Sequence, residues 1–184
     1  MTSQPTSPPA ADDLVLLDHP SDHVARLTLN RPDRLNAMSI ELVGRLMERF
    51  DELARNNDVW VVVLTGGERA FCSGLDLRDE GVVPGVDGLS MGRIAQRAMR
   101  WYSRIVPAMR GLPQPIIAAI SGPAYGGGLC LALGAELRVA DETARFNATG
   151  LNNGLTGIEL GAGWLLPRLI GWAHANDILF TGRV

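Results

Sequence analysis

The sequence has few cysteines, and the two it has are far apart. Cys72 and Cys130 belong to no CxxC motif, and no cluster of histidines accompanies either of them. A disulfide framework needs several cysteines, and a structural zinc site needs four suitably spaced ligands. We therefore expect no disulfide bonds and no metal site, and a reducing cytoplasm suits the chain best.

The chain also lacks an excess of positive charge and a long apolar run. Its 17 basic residues are outnumbered by 20 acidic ones, which gives a formal net charge of -3, whereas nucleic-acid binders typically carry a basic surface. No apolar stretch reaches the roughly 20 residues that cross a bilayer. Residues 1–12 are polar and rich in proline and serine, which is typical of a disordered leader rather than a signal peptide. We expect neither nucleic-acid nor membrane partners.

What the sequence does contain is an alternation of short apolar strands and amphipathic helices. We expect one core domain over 13–184, because a chain of 184 residues is long enough for one sizeable core. Strands at 14–17 and 24–29 predict a hairpin, and a long helix capped by Ser39 precedes a buried strand at 59–66. A strand, a helix and a strand predict a parallel crossover and an α/β fold.

The second half continues the alternation. The pattern predicts an amphipathic helix over 93–112 that Pro107 kinks or shortens. Further elements follow as a buried strand at 116–120, a short helix to about Gly134, strands at 136–140 and 145–147, and helices near 164–170 and 173–180.

The stretch Gly126-Gly127-Gly128 lies where an apolar strand turns into a helix. Three bare glycines permit a close approach of the backbone, and free amides at a helix N-terminus attract an anion or a developing oxyanion. A dinucleotide site is not predicted, since Ala124 occupies the second glycine position of the required Gly-x-Gly. These amides are therefore the starting point for a site.

Four motifs follow one another along the chain. They are Leu29-Asn30-Arg31-Pro32 with Asn36-Ala37-Met38, Ala70-Phe71-Cys72-Ser73-Gly74-Leu75-Asp76-Leu77, Gly122-Pro123-Ala124-Tyr125-Gly126-Gly127-Gly128, and Leu166-Pro167-Arg168-Leu169-Ile170-Gly171. In this set of motifs the chain resembles the enoyl-CoA hydratase/isomerase (crotonase) superfamily. The resemblance implies a spiral of ββα units that binds an acyl-CoA thioester, and a homotrimer or a dimer of trimers. It also implies a C-terminal helical subdomain, which we expect to be missing beyond Val184.

The resemblance also implies roles for particular residues. The backbone N–H groups of Leu75 and Gly127 would form an oxyanion hole for the thioester enolate. The CoA adenine and phosphates would lie near Arg34, Ala37, Ser73, Leu77 and Arg78, with no permanently bound cofactor. The alternative for the two arginines is that they are ordinary exposed residues of polar loops.

The chain departs from the family pattern at the acids that hydration requires. Cys130 and Gly150 stand at the two positions where hydratases carry carboxylates, and neither can replace a carboxylate near neutral pH. Glu159 is close to where isomerases of the superfamily place a single acid that shuttles a proton; the alternative, almost as well supported, is that it caps the following helix. Cys130 is interpreted first as a packing residue, with a thioesterase-like nucleophile as the alternative.

These residues lead to three hypotheses. The first is an acyl-CoA-binding enzyme of the isomerase type, with Leu75, Gly127 and Glu159 as its catalytic groups. The second is a hydratase whose acids are displaced. The third is a protein that binds a CoA thioester without turning it over.

Overall fold

A five-stranded sheet forms the centre of the molecule, with strand order β1-β2-β3-β4-β6. The computed structural model describes residues 13–154 and 159–184, apart from the side chains of Leu151 and Glu159. The leader predicted over 1–12 lies outside the described residues. The strands are β1 (Val15–Ser21), β2 (Val24–Leu29), β3 (Val61–Thr65), β4 (Ile116–Ile120), β5 (Pro123–Tyr125), β6 (Leu137–Ala140) and β7 (Arg145–Asn147). The helices are α1 (Ile40–Ala54), α2 (Met91–Ser103), α3 (Ile105–Arg110), α4 (Gly127–Gly134), α5 (Ala162–Ile170) and α6 (Trp172–Thr181).

The sheet begins with the predicted hairpin and continues in parallel. β1 and β2 are antiparallel, whereas β2, β3, β4 and β6 run in the same direction. The carboxyl ends of parallel strands meet at one edge of a sheet. The segments that follow β2, β3 and β4 are therefore brought together there, although they are distant in the sequence.

Helix α1 follows the predicted pattern closely. The Ser39 hydroxyl accepts a hydrogen bond from the Leu42 amide at 3.1 Å, so it caps the helix as expected. The buried face consists of Leu42, Val43, Leu46, Phe50 and Leu53. This stripe joins the main core beneath the sheet because its spacing places every member on one side of the helix.

The predicted single helix over 93–112 is two helices. α2 ends at Ser103 and α3 begins at Ile105. Pro107 has no N–H group, so it cannot donate to the carbonyl of Ser103 four residues earlier, and the hydrogen-bond ladder is interrupted at that turn. The proline therefore divides the helix, with the break on its N-terminal side.

One strand was absent from the sequence predictions. β5 (Pro123–Tyr125) pairs in parallel with β7, which the sequence did predict. β5 is only three residues long and stands directly before the triple glycine, so its local pattern is that of a loop. The strand is formed by its distant partner, and it fixes the start of α4.

Candidate functional site

The site forms where the segment after β3 crosses the segment between β5 and α4. Cys72 and Ala124 form a parallel bridge, in which the Cys72 amide donates to Pro123 at 3.0 Å and the Tyr125 amide donates to Cys72 at 2.9 Å. A Cβ atom at Gly74 would lie 2.9 Å from the Tyr125 carbonyl oxygen. Glycine is therefore required at this crossing because the two backbones are too close for a side chain.

The amide of Leu75 points away from the neighbouring segment at Met38. The Gly74 carbonyl, which belongs to the same peptide group, accepts a hydrogen bond from the Met38 amide at 2.7 Å. The described residues contain no cis peptide bond, and in a trans peptide the C=O and N–H groups point in opposite directions. The Leu75 N–H therefore faces away from Met38.

The amide of Gly127 is oriented by the same rule. The Gly126 carbonyl points along α4 and accepts a hydrogen bond from the Cys130 amide at 3.1 Å. The Gly127 N–H, in the same peptide group, therefore points out of the helix N-terminus. Within the described residues, neither this amide nor that of Leu75 has a hydrogen-bond acceptor.

Both amides belong to residues that line one cleft. The cleft is lined by Ser73, Gly74, Leu75, Leu77, Gly126, Gly127, Leu129, Cys130, Ala148, Thr149, Gly150, Asn153, Leu160 and Ala162. The structure thus brings the two predicted oxyanion donors to the same cavity. Their catalytic role stays a prediction.

The described part of the cleft lining contains no carboxylate and no histidine. Cys130 and Gly150, which stand at the expected acid positions, both line the cleft. Asn153 also lines the cleft, whereas the neighbouring Asn152 donates to the Gly182 carbonyl at 3.2 Å.

Glu159 is the acid that the sequence offers for this cleft. Its side chain lies outside the described residues, and its backbone begins a short 3-10 turn, Glu159–Gly161. The next residue, Leu160, is 8% exposed, and its Cδ1 atom lies 3.3 Å from where a Cβ atom at Gly127 would be. The chain therefore passes the triple glycine one residue after Glu159.

The residues predicted to hold CoA are brought together at a second groove next to the cleft. Four of them, Arg34, Ala37, Leu77 and Arg78, line this groove, while Ser73 lines the cleft itself. Leu75 and Leu77 line both cavities. The groove and the cleft thus meet at the loop that carries the Leu75 amide.

Asp76 is a central residue of this groove that the sequence predictions missed. Its side chain is 4% exposed and accepts hydrogen bonds from Arg34 at 2.7 Å and from Arg31 at 3.0 Å. Burial works to raise the pKa of the Asp76 carboxyl, but the donors Arg34, the Arg78 amide and Arg31 outweigh it and hold the pKa below its ordinary value. The signal available in the sequence was an acid between two leucines, Leu75 and Leu77. Its arginine partners are near it only in the fold.

The two cysteines differ in their access to the cleft. Cys72 is fully buried, and burial raises the pKa of its thiol to about 12, so it is a packing residue rather than a nucleophile. Cys130 is 3% exposed and contributes to the cleft lining. The two thiols form no disulfide bond.

Comparison with known proteins gives consistent matches. The family model described as enoyl-CoA hydratase/isomerase matches residues 20–184. A protein named probable enoyl-CoA hydratase, from Mycobacterium bovis, is 49% identical over 170 residues, which cover 92% of this chain and 60% of that protein. The chain thus spans about three fifths of the length of the curated relatives it matches.

Solved structures agree with the sequence matches. A probable enoyl-CoA hydratase/isomerase from Mycobacterium abscessus has a TM-score of 0.87 and 45% identity, covering 93% of this chain and 63% of that one. A monofunctional enoyl CoA isomerase from M. smegmatis has a TM-score of 0.74 and 41% identity, covering 92% and 68%. These matches confirm the predicted resemblance and the predicted α/β spiral fold.

Among the described helices, none has both the length and the apolar character needed to span a membrane. The described residues also contain no group of three or more histidines, cysteines or acids arranged to hold a metal ion.

Proposed function

The chain belongs to the enoyl-CoA hydratase/isomerase family, and on that premise we propose that it binds an acyl-CoA thioester and moves a double bond within the acyl chain. The observation that carries the proposal is the pair of amides from Leu75 and Gly127, both on the lining of one cleft and both without an acceptor in the described residues.

Two such amides suit the charge that develops during enolisation. Removing the proton at C2 of a 3-enoyl thioester leaves an extended enolate whose negative charge resides largely on the thioester oxygen. Preorganised N–H donors directed at that oxygen stabilise the charge without reorganisation, and one donor of this kind contributes about 3 to 4 kcal/mol of barrier reduction. The Gly127 amide adds the positive end of the α4 peptide dipoles.

The isomerase reaction needs one acid/base, and Glu159 is proposed for it. Its carboxylate would take the proton from C2, and the resulting acid would return a proton to C4, so that the double bond moves from C3–C4 to C2–C3 with no net gain or loss of atoms. Support comes from the described lining, where the two positions at which hydratases carry acids hold Cys130 and Gly150. Addition of water would need a second acid.

The CoA part of the substrate is proposed to lie in the groove of Arg34, Ala37, Leu77 and Arg78. A guanidinium group binds phosphate through paired N–H donors. Since Leu77 lines both cavities, the pantetheine arm would pass this residue on its way into the cleft. Ser73 would contact the arm at the cleft side.

The test is turnover of a 3-enoyl-CoA in deuterated water. We expect a conjugated 2-enoyl-CoA with deuterium at C4 when the shuttled proton exchanges with solvent, and a loss of about 100-fold or more in kcat for Glu159→Gln. Glu48→Gln is the matched control, because Glu48 is an exposed acid on α1. Full turnover by Glu159→Gln would refute the shuttle, and a product heavier by one water would identify a hydratase instead.

A protein that binds CoA thioesters without turnover is the second candidate. The observation in its favour is the absence of carboxylates from the described cleft lining. Calorimetry would then record binding of both 2-enoyl-CoA and 3-enoyl-CoA, while neither compound would be converted even at high protein concentration.

We further propose that the chain self-associates as a homotrimer or a dimer of trimers. Helices α5 and α6 expose the large apolar side chains of Trp164, Trp172 and Phe180, each at least 64% exposed. Large apolar side chains exposed on two successive helices are typical of a contact surface. Light scattering after gel filtration measures the assembly directly, and a monodisperse monomer would contradict the proposal.

A further inference from the structure

Arg31 joins the two backbone segments that meet at the Leu75 peptide. Leu75 forms a parallel bridge with Met38. One guanidinium nitrogen of Arg31 donates to the carbonyl of Ala37, and the other donates to Asp76 at 3.0 Å. Ala37 directly precedes Met38 and Asp76 directly follows Leu75, so a single side chain joins the residues flanking the bridge.

Asp76 receives further donors from its own loop. Its Oδ1 atom accepts from Arg34 at 2.7 Å and from the Arg78 amide at 3.1 Å. Its backbone N–H donates to the Met38 carbonyl at 3.0 Å. A carboxylate that is 4% exposed is tolerated only when several donors satisfy it, and these donors hold the loop in one conformation.

We propose that Arg31 and Asp76 are positioning residues that fix the Leu75 amide in the orientation the oxyanion hole needs. The inference rests on the proposed function for the role of that amide. Asp76 lines the outer groove and not the cleft, and Arg31 lines neither. Both residues therefore act through Leu75 rather than on the reacting atoms.

Loss of the contacts that Arg31 and Asp76 make around Leu75 should affect the chemical step more than substrate binding. An oxyanion donor is effective only when it is held close to where the charge develops, and a misplacement of about 1 Å lowers a rate by roughly 100-fold. We expect Arg31→Gln, which changes a residue outside both cavities, to lower kcat by about 10- to 100-fold while KM stays within about threefold. Asp76→Asn should lower kcat to a similar extent, and because it also releases Arg34 in the CoA groove it should raise KM. Arg34→Gln, which removes a residue of the CoA groove, should raise KM as well.

The first readout is made on the free protein. The Met38 amide, which donates to Gly74, reports on the bridge through its hydrogen-exchange rate by NMR. We expect exchange at least tenfold faster in Asp76→Asn and Arg31→Gln. Asp79→Asn is the matched control, because Asp79 lies in the same loop but binds the Ile40 amide instead, and its exchange should stay within twofold of the wild type.

The second readout uses a conjugated 2-enoyl-CoA whose absorption shifts to longer wavelength when its carbonyl is polarised. We expect the wild type and Asp79→Asn to show the shift, and Asp76→Asn to bind the compound with less of it. Unchanged exchange at Met38, or an unchanged shift, in folded Asp76→Asn would overturn the inference. Failure of the wild type to bind the thioester would instead refute the proposed function. The exchange rates would still show whether Arg31 and Asp76 hold the Leu75 loop in place.

A second variant covers the case in which Asp76→Asn does not fold. Arg31→Lys keeps the positive charge but replaces the two guanidinium nitrogens that bind Ala37 and Asp76 with a single ammonium nitrogen, so the planar two-pronged contact is lost. Faster exchange at Met38 in this variant supports the positioning role of Arg31 and Asp76, whereas a wild-type rate overturns it.

Discussion

The backbone of Gly128 lies directly against the carbonyl group of Cys72, so closely that a Cβ atom at Gly128 would overlap the carbonyl oxygen. Gly128 is in the first turn of α4 and Cys72 is in the segment after β3. This contact sets the distance between the helix that carries the Gly127 amide and the segment that leads to the Leu75 amide.

Gly128→Ala is therefore expected to destabilise the fold, although alanine is the better helix former. Backbone atoms on both sides prevent an easy adjustment, and overpacking of this kind costs about 3 kcal/mol. Urea unfolding measures the loss. Gly92→Ala is the control, since Gly92 is also helical and a Cβ atom there meets nothing within 4 Å. That variant should be neutral or more stable by up to about 1 kcal/mol.

The Asp76 carboxylate is expected to stabilise the protein in a pH-dependent way. Its pKa is lowered in the folded state, so its contribution is complete above the unfolded value of about 3.9 and is lost as the pH falls through the folded pKa. Asp76→Asn should reduce the free energy of unfolding by roughly 2 to 4 kcal/mol at pH 7. The loss is smaller than for a fully buried ion pair because Arg34 is partly exposed. The difference from the wild type should shrink below about pH 4.

Asp18→Asn provides the comparison for that measurement. Asp18 also pairs with an arginine, Arg26, at 2.6 Å, but both side chains are at least 40% exposed. Such pairs contribute less than about 1 kcal/mol. Equal losses in Asp76→Asn and Asp18→Asn would contradict the importance of the buried pair.

The sequence predicted those parts of the fold that depend on local pattern. The α1 stripe and its Ser39 cap, the hairpin and the turn into α4 all follow from residues within a few positions of each other. Strand β5 was missed because it exists only through its pairing with the distant β7. The Asp76 ion pairs were missed for the same reason, since their partners are 42 and 45 residues away in sequence.

Cys72 is expected to be chemically inert in the folded protein. With a thiol pKa of about 12, roughly one thiol in ten thousand is ionised at pH 8, and the group is also fully buried. In a Cys130→Ala variant, where Cys72 is the remaining cysteine, a thiol reagent should react only as the protein unfolds. Rapid labelling in native buffer, without loss of the circular dichroism signal, would show that this segment opens locally.

The groove residues Arg34 and Arg78 should differ in what their loss does. Arg78 is exposed, and it binds Asp76 through its backbone amide rather than through its guanidinium group. Arg78→Gln is therefore expected to weaken binding of CoA by about 5- to 10-fold, the effect of losing one charge-assisted contact, while the free energy of unfolding stays within about 0.5 kcal/mol.

Arg34→Gln should weaken CoA binding and also destabilise the protein, because Arg34 is a partner of the buried Asp76 carboxylate.

Calorimetry with CoA and with a pantetheine thioester separates phosphate recognition from the rest of the contact. The affinity of the phosphate-free compound should hardly change in Arg78→Gln. If Arg78→Gln lowered the affinity for both compounds equally, Arg78 would be acting on the pantetheine arm or on the loop, and the groove would not be a phosphate site.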